Sequence, residues 1–301
     1  MHEVECMTSN TFVRVGIKHL YGDDMRKLFM MLLVLMIVGC SSKTPIVDRG
    51  NYYIDKSFSS ISQDDRVKFL IFHYTAVNDA RSLQILTQAK VSAHYLIPSI
   101  PKIKNDKPVI YNFVPEDKRA WHAGLSNWNG RLNLNDSSIG IEIVNKGFTE
   151  DMLGDKVWYP FNEQQISAII VLAKDIIKRY NITPDNVLAH SDIAPLRKYD
   201  PGKLFPWKRL AELGIGAWPD EMTVKKYLAG RSSYAPVSVS VVQKYLQKYG
   251  YDRIPQSGEL DEETRRTISA FQLHFRPADI SGNADAETEA IARALVEKYR
   301  S

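Results

Sequence analysis

The chain has 301 residues, 44% of them hydrophobic and 25% charged, with a formal net charge of +4. That length accommodates one medium domain and a small one, and the composition is ordinary for a soluble globular protein. The charge is not gathered into a polybasic run, which excludes a nucleic-acid footprint and leaves a weak bias toward anionic surfaces such as cell-wall polymer.

In chain order, the first distinctive stretch is Met25-Arg26-Lys27 followed by the apolar run Leu28 to Val38. A basic start and an apolar core this short cannot form a stable bilayer-spanning anchor and fit a secretory signal. The run ends in Ile37-Val38-Gly39-Cys40-Ser41-Ser42, which resembles the lipobox of bacterial lipoproteins. That resemblance implies cleavage before Cys40 and a lipid on Cys40. Ser41, where an Asp would favour retention, implies an outer-membrane anchor facing the periplasm of a Gram-negative bacterium. Residues 1–24 lack this order, so translation is expected to begin at Met25. Cys6 and Cys40 are the only two cysteines; if Cys40 is acylated and Cys6 is never made, no disulfide is available and the core alone must hold the fold. Residues 1–39 carry four Lys/Arg and four Asp/Glu, so the mature chain keeps its +4. A polar tether follows the cysteine.

From Val67 to Tyr74 the residues are almost all apolar, aromatic or branched, as in a strand buried on both faces, with His73 at its carboxyl end. Leu83, Leu86 and Ala89 have helical spacing, Val91 to Ile97 returns to a strand pattern, and Val109 to Val114 is a further short strand. Between Ile139 and Val144 the isoleucines share one face while Gly140 and Glu142 share the other. One face is therefore core, and the other looks toward something functional. The longest helix starts at Asn162, with Gln165 at the capping-box position, and carries an apolar stripe from Ile166 to Tyr180. Asn186 to Ala189 is a strand that delivers His190. Strands interleaved with helices predict an α/β fold, a mixed central sheet covered by helices with its site at strand ends.

Past Trp207 the pattern weakens, and Ser232 to Pro236 has the composition of a linker. Val237 to Tyr249 is helical. Ser257-Gly258 to Asp261 and Thr264 then recurs as Ser281-Gly282 to Asp285 and Thr288, each copy a turn, a capping Asp and a helix. The C-terminal part is a small helical bundle with an internal duplication, large enough to be an independent module.

The segment His190 to Gly202 gathers an imidazole, carboxylates, a lysine and a Pro-Gly turn. Its His-x7-Lys-x-Asp spacing is too wide for one helical face, and Pro195 and Pro201 bar a regular helix or central strand, so an ordered loop is expected. Such a loop can fold His190 and Asp200 onto one metal ion, with His73 as the candidate third ligand. Two imidazoles and a carboxylate suit zinc with a fourth position open for water, whose pKa then falls toward about 7. A histidine at a strand end is often only a hydrogen-bonded structural group, and spacing alone leaves both readings open.

Phe72-His73-Tyr74-Thr75-Ala76, Val91-Ser92-Ala93-His94-Tyr95, Trp121-His122-Ala123-Gly124, Ser138 to Glu142, and Ala189 to Pro195 with Lys198-Tyr199-Asp200-Pro201-Gly202 occur in one order. Jointly they resemble the zinc-dependent N-acetylmuramoyl-L-alanine amidases of the peptidoglycan-recognition-protein type. The C-terminal helices resemble the three-helix peptidoglycan-binding domain of wall hydrolases. The resemblance implies one zinc ion on His73, His190 and Asp200, proton transfer by Glu142, and oxyanion stabilisation by Lys198. Some relatives place a Tyr before the histidine matching His94; this chain has Ala93 there, so that help must come from Glu142, and His94 stays off the ligand set. Trp121, His122 and Arg197 are candidate substrate contacts. The resemblance implies peptidoglycan and muropeptides as partners, and a monomer is expected. A catalytically inactive peptidoglycan-binding protein is the alternative, and a cytosolic recycling amidase shares the motifs but not the signal. The expected division is an upstream extension 1–24, a signal 25–39, a lipidated cysteine and tether 40–55, an amidase domain 56–215, a linker 216–236 and a peptidoglycan-binding module 237–301.

Overall fold

The protein is described here by a computed structural model covering residues 45–300. Cys6, Cys40 and the signal stretch lie outside the described residues. Among the described residues the chain divides into two units, 45–63 and 64–300. In the first, where a featureless tether was expected, Ile46–Asp48 pairs antiparallel with Tyr53–Asp55. Gly50, at φ +84°, makes the turn, and its N–H donates to Asp48 Oδ1 at 2.8 Å.

The second unit is built on a five-stranded sheet. Its strands are β1 (Phe69–Tyr74), β2 (Tyr95–Ile97), β3 (Tyr111–Asn112), β4 (Ser138–Ile143) and β5 (Val187–Ala189), in the order β5-β1-β4-β2-β3. β5, β1, β4 and β2 are parallel and β3 is an antiparallel edge. The mixed sheet is thus as predicted, although four of its strands are shorter than their sequence patterns. Among the described residues the other helices are α1 (Asp79–Gln88), α2 (Glu163–Tyr180), α3 (His190–Ile193), α4 (Trp207–Glu212), α5 (Glu221–Leu228), α6 (Val239–Tyr249), α7 (Glu262–Phe275) and α8 (Ala286–Tyr299).

The two faces of the sheet have different duties. Leu70, Phe72, Ile139, Ile141, Ile143 and Val187 bury one face against Ile166, Ile169, Ala173 and Ile176 of α2. α2 begins with the capping box foreseen in the sequence: Gln165 N–H donates to Asn162 Oδ1 at 2.9 Å and Asn162 N–H to Gln165 Oε1 at 3.4 Å. On the opposite face Phe69, Ile71 and Leu188 join Ala123, Trp128, Leu134 and Ile193 in a cluster that continues into Val242, Leu246, Tyr249, Tyr251, Phe271 and Leu295 of the C-terminal helices.

The internal duplication is visible in the hydrogen bonds. Gln243 of α6 accepts from Gly258 N–H and donates to Thr264 Oγ1, at 2.8 and 2.9 Å. Gln272 of α7 accepts from Gly282 N–H and donates to Thr288 Oγ1 at the same two distances. Asp261 and Asp285 cap the following helices through Thr264 and Thr288 N–H. The stretch expected as a linker contains α5, whose Val224 packs on the C-terminal core. Its few apolar positions and flanking Gly and Pro hid a helix that exists by docking on α8. Likewise the His190 segment opens with one helical turn, α3, before the expected loop.

Candidate metal centre and catalytic cleft

His73 ends β1 and His190 begins directly after β5, two parallel neighbours whose carboxyl ends lie side by side. The β1–β4 register sets Glu142 beside His73, and the pleat puts both side chains on the face shared with Ile71 and Gly140. Asp200 returns at the end of the loop, where Ser191 N–H donates to the Asp200 carbonyl at 3.0 Å and closes the segment on itself. Gly202, at φ +83°, faces Trp158 so closely that a Cβ would lie 2.5 Å from the indole. The result brings His73 Nδ1, His190 Nδ1 and Asp200 Oδ2 together: 2.9 Å between the two nitrogens, and 3.0 and 2.9 Å from them to the carboxylate oxygen. All three residues are buried.

Hydrogen-bond direction decides what these donors carry. Ser138 Oγ lies 2.7 Å from the Leu134 carbonyl, which can only accept, so the single hydroxyl proton points there. Ser138 Oγ must then accept from His122 Nε2, 3.1 Å away. Burial, reinforced by the neighbouring imidazoles, holds His122 far below the usual histidine range and keeps it neutral. Its Nδ1 therefore accepts, and the partner 3.0 Å away is His73 Nε2–H. His190 Nε2 faces the Ala123 carbonyl at 3.1 Å and must donate to it. Burial and His190 lower His73 to about 4. With Nε2 of each ring engaged outward, both Nδ1 atoms face each other and the Asp200 carboxylate. Burial pushes Asp200 up, but the two imidazoles outweigh it and hold its carboxyl well below the ordinary range. Two inward-facing imidazole nitrogens and a carboxylate oxygen that converge on one point can hold a cation, and their identity fits zinc.

The donors open into a cleft of about 360 Å³ whose walls include Tyr74, Trp121, His122, Glu142 and Lys198. Burial, then the charge of Asp200, pushes Glu142 up to about 8, while Lys198 draws it back. Glu142 Oε2 is buried without a hydrogen-bond partner. A larger cavity of about 470 Å³ lies between the 192–197 segment and the C-terminal helices, but its walls hold none of the three donors.

The expected substrate contacts separate. Trp121 is half exposed at the cleft rim with the Arg119 guanidinium 4.0 Å over its ring. His122 lines the cleft, but both ring nitrogens are engaged in the relay to His73. Arg197 donates from Nη2 to the carbonyls of Ala123 and Leu125, the latter at 2.8 Å, and so holds the 122–125 loop against the metal-binding segment. His94 is a buried structural group as expected: Gly140 N–H donates to its Nδ1 at 3.0 Å, and its Nε2 donates to the Lys118 carbonyl at 3.2 Å. Asp192 went unnoticed in the sequence. It is fully buried beside His190 and accepts three hydrogen bonds. Its position three residues after Ala189, at the start of a helical turn, was the available signal.

The profile of the N-acetylmuramoyl-L-alanine amidase family matches residues 63–203, and that of a peptidoglycan binding domain matches residues 237–291. The chain is 49% identical to the N-acetylmuramoyl-L-alanine amidase AmiD of Escherichia coli strain K12 over 276 residues, covering 91% of this chain and 99% of the relative. Its fold is similar to that of E. coli AmiD in complex with the substrate anhydro-N-acetylmuramic acid-L-Ala-D-gamma-Glu-L-Lys, with a TM-score of 0.81 and 51% identity over 85% of this chain and 98% of that one. It is also similar to AmpDh3 of Pseudomonas aeruginosa in complex with an anhydromuramic pentapeptide, with a TM-score of 0.72 and 42% identity over 84% of this chain and 98% of that one.

Proposed function

The chain belongs to the N-acetylmuramoyl-L-alanine amidase family, and on that premise we propose that it hydrolyses the amide between N-acetylmuramic acid and the L-alanine of the stem peptide using one zinc ion on His73, His190 and Asp200. The observation that carries this reading is the convergence of two imidazole nitrogens and a carboxylate oxygen beside Glu142, a carboxyl poised near neutrality with a buried, unpartnered oxygen. A pure receptor has no use for that pair of features.

When bound, the ion supplies Lewis acidity to the carbonyl and lowers the pKa of a water molecule. Glu142 takes the proton from the attacking water and delivers it to the amide nitrogen as the carbon–nitrogen bond breaks, leaving a muramoyl carboxylate and a free L-alanyl amine. Lys198 lines the same cleft, and its ammonium meets the negative charge that develops on the carbonyl oxygen. Trp121 offers an aromatic face at the rim to sugar or peptide. The anhydro-muropeptides held by the two relatives support muropeptides, anhydro forms included, as substrates, and the peptidoglycan-binding profile supports the wall polymer itself. We further infer that the protein is a monomer, and that Cys40 is acylated and tethers it to the outer membrane, an anchor that the lipobox and Ser41 support.

Mass spectrometry of products from sacculi and defined muropeptides tests the assignment. Free stem peptides should appear, vanish on chelation and return with zinc. Glu142→Gln should lower turnover by roughly 10²–10⁴-fold, and Lys198→Ala by about 10²–10³-fold, both with zinc retained. Zinc-loaded protein that binds sacculi and releases no peptide would instead establish a wall-binding protein.

A further inference from the structure

The segment that carries two of the three donors and Lys198 is held from outside by the C-terminal module. Asp192 is the centre of that contact. Its Oδ2 accepts from Ala189 N–H at 2.7 Å, closing the turn that aims His190, and from His274 Nδ1 at 2.7 Å. Its Oδ1 accepts from the Tyr251 hydroxyl at 2.5 Å. His274 lies on α7, stacked 3.7 Å from the Trp207 ring, and Tyr251 follows α6. Further along α7, Arg266 donates to the Leu196 carbonyl at 2.8 Å and lies 5.3 Å over the Tyr199 ring, next to Lys198 and Asp200. The module therefore touches the 190–200 segment near both ends and in the middle. Asp192, His274 and Tyr251 are all at most 2% exposed, so water cannot replace these bonds at small cost.

We propose that Tyr251, His274 and Arg266 of the C-terminal module are positioning residues for the metal centre, acting on His190 and Asp200 through Asp192 and the loop backbone. The module is then half of the scaffold that preorganises the ligands, in addition to any affinity it has for the wall. The inference rests on the metal reading above. Without the hydroxyl of Tyr251, Asp192 loses a bond that fixes its carboxylate, and the α3 turn gains freedom to carry His190 away from His73 and Asp200. Groups that orient metal ligands in this way contribute about 10–100-fold in metal affinity.

The test uses the full chain with Tyr251→Phe, His274→Gln and, as a control, Asp252→Asn. Asp252 joins the same two modules, accepting from Asn127 Nδ2 at 2.8 Å and Gly130 N–H at 3.1 Å, but has no hydrogen bond or ion pair to residues 190–200. Zinc affinity is measured by chelator competition well below the unfolding midpoint, alongside amide exchange of residues 190–200. Tyr251→Phe and His274→Gln should weaken zinc by about tenfold or more and speed exchange in that segment, while Asp252→Asn lowers the unfolding midpoint and leaves both unchanged. Equal zinc affinity and equal exchange in all four proteins would overturn the proposal, as would losses that simply follow the unfolding midpoint. If the unsubstituted protein takes up no zinc, the metal reading fails, and the exchange comparison still decides whether the module holds the loop.

Discussion

His122 shows how much of the site depends on proton placement. The family motifs make His73, His190 and Asp200 legible as candidate ligands because each sits where a strand ends or a Pro-Gly turn begins. Nothing in the sequence says which nitrogen of His73 is free. That follows from the chain Leu134 carbonyl, Ser138 hydroxyl, His122, His73, which fixes every proton in turn. Gly140 completes it from below, since a Cβ there would lie 2.4 Å from His122 Cγ and displace the ring. His122→Phe keeps an aromatic ring, somewhat larger than the imidazole, but leaves His73 Nε2 and Ser138 without their partner. It should weaken zinc by about 10–100-fold while the global fold persists, read by chelator competition and by loss of the single Nε2–H tautomer of His73 in nitrogen NMR. Gly140→Ala should have a similar effect on zinc. Unchanged affinity in both would make His122 a bystander.

At the scale of elements, the sequence pattern overstates the strands and does not mark one cross-link. Val91 to Ile97 has a strand's alternation, but only Tyr95–Ile97 finds ladder partners, and only Tyr95 and Leu96 on both sides; pattern reports burial, and pairing needs a neighbour. What secures this strand is Glu116, which no local pattern marks. Its carboxylate accepts from the Tyr95 and Tyr180 hydroxyls at 2.6 and 2.8 Å and forms a bidentate pair with Arg179, joining β2 to the last turn of α2. Burial alone would raise the Glu116 pKa, but the bonds from Arg179, Tyr95 and Tyr180 outweigh it and bring it to about 2 from an ordinary 4.5. A depressed folded-state value means that the stabilisation is complete above about pH 4.5 and is lost as pH falls toward 2. After allowance for solvent screening it amounts to about 1 kcal/mol. Urea denaturation should therefore separate the wild type from Glu116→Gln at pH 7 and bring the two together near pH 2. A gap that persists in acid would assign the effect to packing instead of charge.

For the whole molecule, the sequence shows two modules and hides their union. The duplicated Ser-Gly turns and capping Asp residues delimit the C-terminal helices, and their composition fits an independent bundle. The structure gives that bundle a core continuous with the site-bearing face of the sheet. The joint is a hairpin turn, Asn129-Gly130, with both residues in the left-handed region at φ +47° and +79°. This turn presents Trp128, whose ring lies 5.7 Å from Tyr249 and 5.0 Å from Tyr251, and whose Nε1 donates to the Asp185 carbonyl at 3.2 Å. Gly250 admits the indole, because a Cβ there would lie 2.6 Å from Trp128 Cζ2. Partners more than a hundred residues apart leave no periodic trace, so the docking could not be read before the fold was known. A shared core implies shared cooperativity, and residues 64–300 should unfold in one transition. Trp128→Ala creates a cavity at the joint and should cost roughly 3–5 kcal/mol. If the modules are coupled as described, amide exchange in α2 and in α8 should accelerate together in that variant. Acceleration confined to α6–α8, with a second calorimetric transition, would show instead that the bundle folds on its own and only rests against the sheet.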